Sequence, residues 1–175
     1  MARDPLGKAE EQKDWLAKIG SYIPGFSGYL DAKRRQESDR IIREAAAKKV
    51  MECRDDVTAV VKHLTKTMSD LDLVEEMDEI DNRINTLAGK IRSAADGYSG
   101  ALNTIKVSQK DLEDLYKFDL NLLEAVEELK VASAKMSENK RDTGACRQAL
   151  EELDQVLDRV SKYLATRKDS ILGMV

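Results

Sequence analysis

LVEEMDEIDNRINTLAGKIRSAADGYSGALNTIKVSQKDLEDLYKFDLNLLEAVEELKVASAKM, residues 73–136, is the stretch whose spacing sets the fold. Alternate steps of four and three through it meet Leu73, Met77, Ile80, Ile84, Leu87, Ile91, Ala94, Tyr98, Ala101, Ile105, Ser108, Leu112, Leu115, Asp119, Leu122, Val126, Leu129, Ser133 and Met136. Sixteen of these nineteen positions are apolar or aromatic. A helix built here carries a narrow apolar stripe of period 3.5, which escapes water by lying along other helices at about 20°.

Upstream, the chain reads as helical without a breaker from Leu30 to Met68, with a seam of Ala46, Val50, Cys53, Val57, Val60, Leu64 and Met68. Downstream, Asp142 or Thr143 caps a last helix whose seam is Cys146, Leu150, Leu153, Leu157, Val160, Leu164 and Ile171. Ser69 or Asp70 caps the helix that begins the central stretch, and Glu75, Glu76, Asp78 and Glu79 follow near its positive end. Two readings divide at residues 97–108. Gly97-Tyr98-Ser99-Gly100 reads as a chain reversal and Ser108-x-x-Asp111 as a new N-cap, whereas the unbroken heptad phase suits one continuous helix. Two glycines inside a helix cost about 1 kcal/mol each, which favours the reversal.

The fold class expected is therefore all-α: an elongated antiparallel helical bundle of four long helices, up-down, with a short N-terminal helix. The alternative is a three-helix rod with one very long middle helix. The short helix covers residues 8–19, where Trp15, Leu16 and Ile19 share a face, and Gly20 ends it. An aromatic loop follows, in which Pro24-Gly25 has the order of a type II turn. Residues 1–29 thus form an N-terminal amphipathic helix and aromatic turn, and residues 30–175 the bundle.

Composition agrees with long helices. Two prolines, nine glycines, 35% charged and 5% aromatic residues suit narrow apolar seams, and a net charge of −4 over 175 residues is too small to favour disorder. No run of about 18 apolar residues exists to span a membrane, and Met1–Ile19 lacks a secretory signal pattern, so a cytoplasmic location is expected. Cys53 and Cys146 fall on apolar seams and read as buried, reduced thiols.

Three pieces, Ile23-Pro24-Gly25-Phe26-Ser27-Gly28-Tyr29 leading into Lys33-Arg34-Arg35 and Asp39, then Gly97-Tyr98-Ser99-Gly100, then Leu115-Tyr116-Lys117-Phe118-Asp119, resemble a group of uncharacterised prokaryotic all-helical proteins. The resemblance spans roughly residues 22–123 and implies no activity. It does imply that both Gly-Tyr turns are specified features.

Little in the chain suggests chemistry. His63 is the single histidine and has no nearby serine nucleophile, and neither copy of a Glu-x-x-His di-iron motif is present. Haem held by His63 with Met77 or Met136 is conceivable, but the six methionines read as core filler. Gly-rich phosphate loops, Cys-x-x-Cys pairs and calcium loops are absent. Neither an enzyme nor a cofactor or small-molecule substrate is expected.

Charge is unevenly spread: residues 1–50 hold 11 Lys and Arg against 8 Asp and Glu, and residues 51–100 hold 6 against 11. The basic run Lys33-Arg34-Arg35 with Arg40 and Arg43 reads as helix surface paired with Glu37, Asp39 and Glu44; one such cluster on an acidic chain does not suit nucleic acid. Asp31 to Glu44 has only Ile41 and Ile42 as large apolar residues, so this part of the helix is expected to overhang the core. The expected function is a non-enzymatic structural, scaffold or adaptor bundle acting through self-association or a protein partner. Its contacts would be Ile41 and Ile42, surrounded by Arg34, Arg35 and Arg40, with Tyr22, Phe26 and Tyr29 from the loop. The alternative is a peripheral membrane-surface protein anchored by the aromatic and basic N-terminal segment.

Overall fold

The computed structural model describes residues 5–26, 28, 35–68, 70–94 and 109–173. Among them the regular elements are five helices: α1 (Pro5–Tyr22), α2 (Arg35–Thr67), α3 (Leu71–Ser93), α4 (Gln109–Glu138) and α5 (Thr143–Gly173). The all-α fold expected from the seams is what the chain adopts. Every described seam residue of α3 is buried, from Leu73 through Ile91, and the same holds for Ala46 to Leu64 in α2, Leu115 to Met136 in α4 and Cys146 to Leu164 in α5. Met68 is the exception: it sits at a positive φ of 50° just past α2 and is 75% exposed, because the helix has already ended.

Local chemistry accounts for the ends. Asp70, in extended conformation, accepts the Leu73 backbone N–H at 3.0 Å and starts α3. Asp142 does the same for Ala145 at 3.0 Å and starts α5. The first helix runs past Gly20 to Tyr22; what stops it is Pro24-Gly25, with Gly25 at φ +85° and the Phe26 N–H donated to the Ile23 carbonyl at 3.2 Å.

Side-chain pairs report the direction of each helix. Between α2 and α3, Arg43 reaches the carbonyl of Arg92 and Arg54 reaches Asp81 at 2.6 Å, so one helix advances as the other retreats. Between α2 and α4, Lys49 pairs with Glu127 and Glu52 with Lys130, three residues on in both; these two run the same way. Asp119–Arg167, Glu128–Arg159 and Lys135–Glu152 make α4 and α5 antiparallel. Glu76–Arg147 and Asp154–Arg83 advance together by seven residues, so α3 and α5 are parallel.

Helix α2 adjoins α3 and α4, α5 adjoins the same two, and α1 lies against α4, which puts α3 and α4 at opposite corners. Residues 97–108, where the break was expected, lie outside the described residues. A single rod through Leu73–Met136 would nevertheless give α3 and α4 the same sense, and they have opposite senses relative to α2. No helix among the described residues is long and apolar enough to cross a membrane.

Gly28 is held tightly on the return from α1: its carbonyl accepts the Ser38 hydroxyl at 2.8 Å, and its φ is +81°. A Cβ there would sit 2.5 Å from the Tyr116 hydroxyl oxygen and 2.7 Å from Leu16 Cδ2. Gly28→Ala is therefore expected to lower stability by about 2 kcal/mol or more. Gly20→Ala, inside α1 with nothing within 4 Å, should raise it by about 0.5–1 kcal/mol. Urea denaturation of the two variants checks both signs.

Candidate functional site

The residues expected to meet a partner are distributed as follows. Tyr22 and Phe26 are half-buried and packed against the core, and the Tyr22 ring faces the Lys49 ammonium at 5.2 Å. Arg40 is exposed and bracketed by Glu37 and Glu44, each at 2.6 Å. These bonds hold the Arg40 pKa above its ordinary range, and the Arg40 hydrogen bond lowers that of Glu37. Arg35 is the first residue of α2, while Tyr29 and Arg34 lie outside the described residues.

The overhang is not present over its described part. Ile42 is fully buried in the core, Ile41 is half-buried against it, and Ser38, Asp39 and Arg43 are buried too. The segment is covered because its charges are neutralised from other helices. Asp39 Oδ2 accepts Arg43 Nε at 2.8 Å, and its other oxygen accepts Arg167 Nη1 of α5 at 2.7 Å. Arg167 Nε is also donated to Asp119 Oδ1 of α4 at 2.6 Å, and Arg43 reaches on to the Arg92 carbonyl at the end of α3. Asp39, Arg43, Asp119 and Arg167 are 1%, 7%, 0% and 1% exposed. Two cations and two carboxylates thus close one end of the bundle. Burying an ion costs several kcal/mol unless it is paired, so each of the four is stable there only with its counter-charges in place.

The sequence reading missed this quartet, though a signal for it existed. Asp119 is one of three interruptions in the central seam, and Arg167 fills the gap between Leu164 and Ile171 in the last one. Extending the α2 seam back from Ala46 by three and then four lands on Arg43 and Asp39. The pairing of Asp39 with Arg43 was foreseen; its burial was not.

Cys53 and Cys146 are free and buried. Burial pushes the Cys53 thiol up to about 11 and raises that of Cys146. No cluster of three or more His, Cys, Asp or Glu among the described residues is placed to hold a metal ion.

A groove of about 680 Å³ opens between α4 and α5, with Tyr22 among its lining residues. Val131, Ala132 and Val156 form its floor and sides, and Val131 is 64% exposed. A smaller recess lined by Asn121, Ala125 and Tyr163 continues it, sharing Glu124, Glu128 and Arg159. From Asn121 to Lys135 the two extend about 20 Å along α4. The lining of the larger groove has four carboxylates, Glu124, Glu127, Glu128 and Glu152, against Lys135 and Arg159.

The described apolar groups of the N-terminal segment are engaged: Ile19 and Ile23 are buried, and Trp15, Leu16, Tyr22 and Phe26 pack on the core. Entry into a lipid surface would require α1 to leave α4 and expose both isoleucines. The chain matches no protein family, no curated protein and no solved structure.

Arg167→Met removes one cation from between two buried carboxylates, and a loss of about 3–5 kcal/mol is expected by chemical denaturation. Arg40→Met, at an exposed pair, should leave the midpoint unchanged. Because the reactive form of a cysteine is the thiolate, Cys53 should label slowly with a disulfide reagent at pH 8 and rapidly once the chain is unfolded.

Proposed function

We propose that this chain is a non-enzymatic scaffold or adaptor whose α4/α5 groove receives an amphipathic helix from a protein partner. In this reading the four long helices form an up-down bundle, which works in the cytoplasm with both thiols reduced. The observation that carries it is the groove itself: an apolar floor with exposed Val131, extended along the helices and walled by charge. The chain supplies its own example of such a seat, since α1 packs against α4 with Ile19 and Ile23 buried. Ala125 and Ala132 are small enough to let a further helix approach closely.

Charge favours a particular occupant. Arg159 and Lys135 are paired with Glu128 and Glu152, and Glu127 with Lys49, so Glu124 adds an uncompensated negative charge to the wall. A helix with leucines at i, i+3, i+4 and i+7 and lysines flanking that stripe complements this lining.

A synthetic 18-residue peptide of that pattern, labelled for fluorescence anisotropy, is expected to bind the full chain better than its scrambled isomer. Val131→Glu should weaken binding at least about tenfold and Glu124→Lys by a smaller factor. Equal affinity for the scrambled peptide, or an unchanged affinity in Val131→Glu, would falsify the reading. A dimer in light scattering that Val131→Glu dissociates would assign the groove to a second copy instead.

A further inference from the structure

Short turns set the register within each helical hairpin: residues 68–70 join α2 to α3, and residues 139–142 join α4 to α5. Between the two hairpins no short turn among the described residues does this: fifteen residues separate Ser93 from Gln109, and the ties are side-chain contacts together with α1, which rests on α4 and whose return is bonded to α2 at Ser38. Nor do the apolar seams choose an alignment. They repeat every seven residues, so sliding one hairpin along the other by seven, about 10 Å, again sets apolar side chains against apolar side chains.

The buried quartet does not repeat. Seven residues beyond Asp39 and Arg43 the α2 seam holds Ala46 and Val50; seven to either side of Asp119 stand Leu112 and Val126; seven before Arg167 stands Val160. A slip of one heptad would carry the Asp119–Arg167 pair of the α4/α5 hairpin away from Asp39, and its charges would then face apolar positions or the end of the bundle. Other contacts between the hairpins would break as well: the exposed Lys130–Glu52 pair, which water screens in either alignment, and the Ser133–Asp56 hydrogen bond of 2.7 Å.

We infer that Asp39, Arg43, Asp119 and Arg167 act as the register pin between the two hairpins: the seams hold the bundle together, and the Arg167–Asp39 contact across it selects one alignment from a series seven residues apart. This device is independent of any partner in the α4/α5 groove.

The test uses the full chain with Cys53→Ala and Cys146→Ala, spin labels on Lys66→Cys and Lys117→Cys, and distances from double electron–electron resonance. Both labelled positions are exposed, one on each hairpin. With the quartet intact a single distance is expected. With Asp39→Leu, Arg43→Met, Asp119→Leu and Arg167→Met combined, a helical bundle should persist with a second distance displaced by about 10 Å in roughly a tenth or more of the molecules. Lys49→Met, which removes a half-buried inter-hairpin pair outside the quartet, should leave the single distance intact.

An unchanged single distance in the fourfold variant overturns the proposal. So does a fourfold variant that fails to fold, since the seams would then not suffice. A second distance in Lys49→Met would move the pin to the surface pairs and overturn it too.

Discussion

An apolar stripe that recurs every seven residues must leave water, and in doing so it leaves four helices many comparable ways of lying together. Leucine against leucine is favourable at any heptad offset, because the contact depends on area and shape rather than on identity. Everything specific about this bundle is a response to that degeneracy. Asp70 and Asp142 cap two helices and so fix where two hairpins turn. Charged pairs on the flanks, Arg54–Asp81 between α2 and α3 and Arg83–Asp154 between α3 and α5, follow the helices in step.

The magnitudes separate these devices. An exposed pair contributes about 0–1 kcal/mol, so even several along one flank bias the alignment only modestly. A buried ion without its partner costs several kcal/mol, so the four charges at one end of the core weigh more than the whole flank. Arg167 makes the link that matters most geometrically: one guanidinium touches Asp119 on the neighbouring helix and Asp39 on the helix across the bundle. Tyr116, fully buried one turn from Asp119, brings Gly28 against the same end, so the return from α1 is packed onto the charged layer rather than onto open helix ends.

The same end-closure explains why the N-terminal segment and the first turns of α2 are not free surfaces. Ser38 is bonded to Gly28, Asp39 and Arg43 are neutralised within the core, and Ile42 fills space beside them. An open face lies elsewhere, between α4 and α5, beside Tyr22 at the end of α1. Val131 remains in water there, while Ala132 and Val156 do not.

The sequence by itself determined the helices, their apolar faces, a cap at Ser69 or Asp70 and another at Asp142 or Thr143, the Pro24-Gly25 turn and the burial of both thiols. Each of these follows from local stereochemistry or from a period that can be counted along one strand of text. Tertiary structure alone decided that α2 and α4 are parallel neighbours with α3 at the opposite corner, and that the charged start of α2 is core. Neighbour choice depends on pairs far apart in the chain, such as Asp39 with Arg167. A lone charge on a seam reads as surface until its counter-charge is found on another helix, and that partner has no fixed sequence distance to betray it.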